Sequence, residues 1–159
     1  GISKNDSVLD VACGTGVLYE VLKDIYLNDY VAIDISEKML EEFKRVFPNV
    51  DTKCLNFDKR IELNKKFDYI IIFNSIPHFE NMDIVFENAE KLLNTRGKFA
   101  IIHGRTRKGL KEPHKKIGFT LGREAIPTDS SLIELSKKHN FHDIVIEDKD
   151  FFYFSCVHN

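Results

Sequence analysis

"VLDVACGTGVL", Val8 to Leu18, is an apolar run that ends in two glycines one position apart. A strand that stops at a glycine turn and gives way to a helical repeat is the opening unit of an α/β sheet. "SVLDVA" reads as the strand. After the turn, Val17, Leu18, Val21, Leu22 and Ile25 recur at three- and four-residue steps, the spacing of a helix with one buried side. "YVAIDIS" is a second strand. Ser36 then caps a helix whose buried stripe is Met39, Leu40, Phe43, Val46 and Phe47, closed by Pro48-Asn49. "VDTKCL" is a weaker third strand, and "FDYIIIFN" is continuously apolar, as a central strand buried on both faces must be.

The same alternation carries on toward the carboxyl end. Val85, Ala89 and Leu92 make a helical face, "NTRGK" turns the chain and "FAIIHG" supplies a fifth strand. A polar stretch from Gly104 to Pro127 is too long for a simple connection and is expected to hold a short helix. A last helix near Asp129 to His139 precedes "DIVIED" and "FFYFSCVH". Only Lys149 and its flanking aspartates separate these two runs, too few residues for a parallel crossover, so they must form an antiparallel hairpin. The expected architecture is one domain over residues 1–159, with a seven-stranded sheet, six strands parallel and the last reversed.

Composition excludes several classes. A chain of 159 residues, 43% hydrophobic, can build one proper core and not two. A net charge of -2 gives no global attraction to nucleic acid or anionic membrane. No apolar run approaches the ~20 residues that span a bilayer, and the start does not read as a signal peptide. Cys13, Cys54 and Cys156 lie far apart with no CxxC, which argues against a disulfide framework or zinc knuckle and fits a reducing cytoplasm.

In an open parallel sheet, ligands sit beyond the carboxyl ends of the strands. Gly14 and Gly16 occupy the first such turn, where the lack of a Cβ lets a ligand approach backbone N–H groups. Asp34 ends the second strand, 18 residues after Gly16, where a carboxylate can accept from both hydroxyls of a ribose. A dinucleotide fingerprint would need a third glycine, and Tyr19 stands in its place. The plainer alternative is that the glycines only turn the chain and Asp34 only caps a helix. The combination of Asp10, Gly14, Gly16 and Asp34 favours a nucleoside-containing ligand.

These residues resemble the class I S-adenosylmethionine-dependent methyltransferases over nearly the whole chain. "LDVACGTG" is similar to their first motif, "VAIDIS" to the second, "CLNFD" to the third-strand motif, "FDYIIIFNSIPHF" to the fourth and "RGKFAIIHG" to the fifth. The terminal hairpin matches their reversed seventh strand. The resemblance implies a Rossmann-like three-layer αβα sandwich and S-adenosylmethionine as cofactor. Asp10 and the backbone of Ala12, Cys13, Gly14, Thr15 and Gly16 would hold its methionine end. Asp34 would take the ribose, with Ile35, Asn56, Phe57 and Asn74 completing the contacts. Two departures stand out. Ala12 replaces the usual first glycine, a mild change if only a small residue is needed; Asn56 stands where an aspartate commonly meets the adenine amino group, with Asp58 two residues on. The adenine contact is open between them. "IPHF", His103 and His114 resemble small bacterial members of unassigned substrate.

A sulfonium is already activated, so the protein must chiefly align the nucleophile and exclude water. If the acceptor must lose a proton, a histidine suits the role. His78 is the first candidate base and His103 the second; Phe79, Arg105 and His114 are further candidates for holding the acceptor. His78, His103 and His114 lack the close spacing of a metal site, and no metal is expected. Amino-group methyltransferases acting on bases or glutamine often carry Asn/Asp-Pro-Pro-aromatic, whereas this chain reads "NSIPHF", which counts against DNA and glutamine as acceptors. Six Lys/Arg residues between Arg105 and Lys116, with no interleaved aromatic, favour a small anionic molecule over RNA. The alternatives are a solvated basic loop, an aminopropyltransferase disfavoured by the same basic edge, and a non-catalytic cofactor-binding partner subunit. Only seven residues precede Val8, so the usual amino-terminal lid is expected to be missing and the protein to be a monomer or a homodimer sharing the pocket.

Overall fold

The computed structural model describes residues 1–25, 27–110 and 125–159. The glycine turn follows β1 (Ser7–Val11) and leads into α1 (Val17–Leu22). Then come β2 (Asp29–Asp34), α2 (Glu37–Val46), β3 (Asp51–Cys54), β4 (Phe67–Phe73), α3 (Met82–Leu92) and β5 (Leu93–His103). Beyond the segment 111–124, which lies outside the described residues, α4 (Asp129–Lys138) precedes β6 (Phe141–Asp148) and β7 (Phe152–His158). The sheet runs β3-β2-β1-β4-β5-β7-β6, with β7 antiparallel to both neighbours and the other strands pointing one way. This is the αβα sandwich with a reversed last strand that the sequence predicts. Among the described residues no helix is long and apolar enough to cross a membrane.

Alternating side chains divide the core between the sheet's two faces. Leu9, Val11, Ile70, Ile72 and Ile101 pack beneath α3 and α4, where Phe86 meets Phe99 and Phe154 edge to face at ring separations of 5.1 and 5.9 Å. Val8, Ala32, Ile71 and Ala100 belong to the opposite cluster, with Leu18 and Leu22 of α1 and Leu40 and Phe43 of α2. Each β1 side chain is buried, so the strand that delivers the glycine turn is held from both sides.

Three local readings change. First, α1 is only six residues long; Leu18 and Leu22 face the sheet, while Val17 and Val21, one position back on the helix, are exposed. Met39 and Val46 of α2 are likewise on the open side, and only Leu40 and Phe43 form its buried stripe. Second, "NTRGK" turns within a continuous strand. Phe67 pairs with Leu93 but Tyr69 with Lys98, so β5 carries the extra residues as a bulge, with Arg96 at φ 68°. A Cβ on Gly97 would meet Asn94 O at 2.8 Å, so a glycine is required there. Third, Ala12 adopts φ 58°, a left-handed conformation that costs a residue with a Cβ about 1–2 kcal/mol. Replacing the first glycine is therefore a matter of backbone conformation as well as size.

Asn88, buried on α3, fixes the β3–β4 connection from below. Its Nδ2 donates to Phe57 O (3.0 Å) and Lys59 O (2.8 Å), and its Oδ1 accepts from Ile61 N–H (3.3 Å). Asn88→Leu keeps the volume but leaves three backbone groups without their partner. Urea unfolding is expected to show a loss of about 2–4 kcal/mol; a change within ~0.5 kcal/mol would mean the connection is held by other contacts.

Candidate functional site

The strand order reverses between β1 and β4: the chain leaves β1 toward β2 and β3 on one side and returns as β4 on the other. Their carboxyl ends frame a crevice. Its first wall is the 12–16 turn, where Gly14 (φ 57°) and Gly16 (φ 107°) adopt positive φ, and a Cβ on Gly16 would lie 2.8 Å from Phe47 Cε2. Cys13 N–H donates to Ile33 O (3.0 Å), fastening the turn to β2.

Asp34 is the hub of the second wall. Its Oδ2 accepts from Gly14 N–H and its Oδ1 from Ser36 N–H, both at 2.9 Å, and Ser36 Oγ in turn accepts from Met39 N–H (3.2 Å) to cap α2. Asp34 thus does brace the turn and the helix entry. A carboxylate has about four acceptor sites, so capacity for ligand hydroxyls is left over. The third wall follows β4. Asn74, at φ 59°, accepts on Oδ1 from Gly104 N–H (2.7 Å) and donates its own N–H to Ile102 O (2.8 Å), tying the ends of β4 and β5 together. Ser75 shares its hydroxyl proton between Ala12 O (3.3 Å) and Phe73 O (3.2 Å), which closes the crevice across β1.

Two cavities open between these walls. The larger, about 450 Å³, is lined by Asp34, Ile35, Met39, Asn56, Phe57, Asp58, His78 and Phe79. The smaller, about 260 Å³, is lined by Asp10, Cys13, Thr15, Val17, Leu18 and Asn74. Ala12, Gly14, Met39 and Ser75 border both, so the two are neighbouring compartments of one crevice. On the far side of the larger one, Asn56 Oδ1 accepts from Asp58 N–H (2.9 Å), and the Asp58 carboxylate accepts from Glu80 and Asn81 N–H.

The electrostatics single out Asp10. It is 1% exposed, and its Oδ2 accepts from the Tyr30 hydroxyl at 2.6 Å. Burial first, and the Asp34 charge after it, push its carboxyl up to about 7, while the Tyr30 hydrogen bond opposes them. The Cys13 thiol is pushed up by burial and by both aspartates and stays protonated. His103 is half-buried. Its Nδ1 accepts from Arg105 N–H (3.0 Å), which puts the neutral ring's proton on Nε2, and burial with the Arg105 and His78 charges holds its pKa below the ordinary value.

A methyltransferase-domain family model matches residues 2–152. The chain belongs to the methyltransferase-domain family. Among its relatives, the rRNA adenine N-6-methyltransferase of Bacteroides fragilis is 29% identical, with 98% of this chain matched to 65% of that protein. The malonyl-[acyl-carrier protein] O-methyltransferase of Acetivibrio thermocellus is 36% identical over 47% of this chain and 27% of its own length. The chain thus spans less than two thirds of these curated relatives. In fold it is similar to the Haemonchus contortus phosphoethanolamine N-methyltransferase 2 solved with phosphomonomethylethanolamine and S-adenosylhomocysteine (TM-score 0.75, 17% identity), covering 99% of this chain and 50% of that one.

The methyltransferase domain brings most of the residues expected from the sequence to this crevice. Asp10, Ala12, Cys13, Gly14, Thr15, Asp34, Ile35, Asn56, Phe57, Asn74, His78 and Phe79 line it, and Gly16 closes the turn behind. His103 and Arg105 sit at the adjoining end of β5 and line neither cavity. His114, Lys111, Lys115 and Lys116 lie outside the described residues. Among the described residues no group of His, Cys, Asp and Glu is arranged to hold a metal. Arg107 does not serve the basic run: it donates to Asp129 Oδ1 (2.7 Å) and Pro127 O (2.6 Å) and lies over the Phe152 ring. Ser75, Met39 and Tyr30 are new to the site. Met39 has the spacing of a core residue and is revealed as a wall only by its exposure; Ser75 and Tyr30 leave no signal in the sequence.

Above pH 7 the folded protein must carry a buried Asp10 carboxylate that the unfolded chain ionises freely near pH 4. Stability contributed through this group is therefore higher near pH 5 than near pH 8. Asp10→Asn is expected to stabilise the ligand-free protein at about pH 8 by up to ~4 kcal/mol, by less than about half of that at about pH 5, and hardly at all at about pH 3. Thermal unfolding across that range measures it, and equal gains at both ends would contradict the assignment.

Proposed function

We propose that this domain binds S-adenosylmethionine along the two-compartment crevice and transfers its methyl group by in-line displacement to a small anionic molecule. The observation that carries the reading is the pairing of compartments. One holds a buried carboxylate and backbone from a glycine turn, the other an acidic strand end beside an apolar slot. The residues present suit the cofactor. In the larger compartment the spare lone pairs of Asp34 take the ribose hydroxyls, Ile35 and Met39 flank the adenine, and Asn56, Phe57 and Asp58 offer polar groups to its edge. In the smaller one Asp10, the 12–16 backbone and Asn74 receive the amino-acid end.

The bound cofactor supplies an activated methyl and a neutral leaving group. The chain's own residues then have to orient the acceptor, exclude water and manage one proton. His78 takes that proton in this reading, which its exposed position in the lining of the larger compartment supports. His103, with its proton on Nε2, serves as a hydrogen-bond donor to the acceptor, and the exposed Arg105 beside it matches a negative charge. A structural neighbour solved with phosphomonomethylethanolamine lends support to an anionic acceptor of small size.

Calorimetry tests the cofactor. S-adenosylhomocysteine is expected to bind and NAD not to, and Asp34→Ala is expected to weaken the former about 100-fold through two lost charge-assisted hydrogen bonds. Failure of S-adenosylhomocysteine to bind folded protein would end this reading. The acceptor is tested by incubating methyl-labelled cofactor with a metabolite extract and, separately, with ribosomal RNA. Label is expected in the small-molecule fraction, and His78→Ala is expected to cut transfer at least ~100-fold while weakening cofactor binding by much less than that. Label in RNA alone would replace the acceptor class.

A further inference from the structure

Asp10 is a buried carboxyl, and no cation among the described residues is a main influence on its ionisation. Burial and the Asp34 carboxylate both raise the cost of its ionisation, and the Tyr30 hydroxyl alone lowers it. Tyr30 is itself held in place: it is 8% exposed, lies edge-on to Tyr19 at a ring separation of 4.9 Å and packs in the cluster beneath α1 and α2. Burial and the neighbouring Asp10 push the phenol far above its ordinary range, so it is always the donor in this pair. The other titratable groups facing Asp10 are the Cys13 thiol on the turn, Asp34 at the end of β2 and, behind Tyr30, Tyr19 on α1. None of them brings a cation.

The hydrogen bond therefore does two things. It engages Oδ2 and leaves Oδ1 outside that bond, on a residue that lines the smaller cavity, and it keeps a buried carboxyl within reach of ionisation near neutral pH. An ammonium entering that cavity would supply the missing counter-charge. We propose that Tyr30 is a positioning residue for the amino end of the cofactor: by holding Asp10 it makes recognition of an ammonium-bearing ligand expel a proton and sets the pH range of that recognition. This rests on the cofactor reading above. The balance is simple: the carboxyl O–H bond of Asp10 breaks, its proton passes to solvent, and the resulting carboxylate pairs with an ammonium that stays protonated throughout.

The full chain is titrated with S-adenosylhomocysteine in two buffers of different ionisation enthalpy, which yields the protons exchanged on binding. Close to one proton should be released at about pH 6 and almost none at about pH 8. Tyr30→Phe removes only the hydroxyl, so Asp10 becomes harder to ionise. Release should persist at about pH 8, and affinity should lie ~10-fold below that of the wild type near pH 7, with the deficit shrinking as the pH rises above about 8. 5′-Methylthioadenosine, which keeps the nucleoside and lacks the amino group, should release no proton and bind wild type and Tyr30→Phe alike. Asp10→Asn should abolish release, a control that holds if Tyr30→Phe proves unstable. Release that is absent in the wild type, identical in Tyr30→Phe at every pH, retained in Asp10→Asn or equal with 5′-methylthioadenosine would overturn the proposal. Absence of S-adenosylhomocysteine binding would instead overturn the cofactor reading.

Discussion

The Asp34 carboxylate accepts from Gly14 N–H with one oxygen and from Ser36 N–H with the other. Through this bridge the left-handed glycine turn after β1 and the cap of α2 after β2 are held in one arrangement, and both compartments of the crevice are bordered by Gly14. The turn needs such a brace. Ala12, Gly14 and Gly16 all take positive φ, and Ala12 does so with a Cβ. Backbone donors that would otherwise point at solvent are spent on one anion, which sits where a ligand's hydroxyls would also reach.

Around that bridge, each connection at the carboxyl edge is pinned by one short polar side chain. Ser75 reaches across to the Ala12 carbonyl, Asn74 joins the ends of β4 and β5, Asp58 gathers the amides of Glu80 and Asn81, and Asn88 supports the loop that carries Phe57. Such residues are poor strand formers and good loop binders, because their side chains replace the ladder partners that the backbone loses where a strand ends. The crevice is thus pre-shaped by the chain itself. Asp10 stands apart in this set: its partner is a phenol from within β2, and a carboxylate so enclosed carries a cost that is relieved by protonation or by a nearby cation.

Much of this was legible in the residues. Within "FDYIIIFN" the run from Tyr69 to Phe73 is apolar without interruption because β4 packs on both faces, and it occupies the middle of the sheet. The short gap around Lys149 dictated a hairpin, which β6 and β7 form with Asp148 opposite Phe152. The candidate ligand residues at the ends of β1, β2 and β4 converge because parallel strands of one sheet finish at the same edge. Less was legible where periodicity is a weak guide. Val17, Val21, Met39 and Val46 fit a helical stripe by spacing, yet all four are exposed, and Val17 and Met39 line the crevice. The five residues of "NTRGK" look like a break, but the strand pairing resumes around them as a bulge.

What the sequence determined by itself is the order and type of the elements, the sense of the last strand and the family, since these follow from hydrophobic spacing, gap lengths and a glycine turn, all local in the chain. Only the tertiary structure decided which side chains face each other. Tyr30 meets Asp10 because β1 and β2 lie side by side, Arg107 is paired with Asp129 and Asp148, and Asn56 and Asp58 are both engaged with backbone amides. Burial and hydrogen bonding between residues far apart in the chain fix the charge of Asp10 and the proton on His103, and no local pattern encodes either.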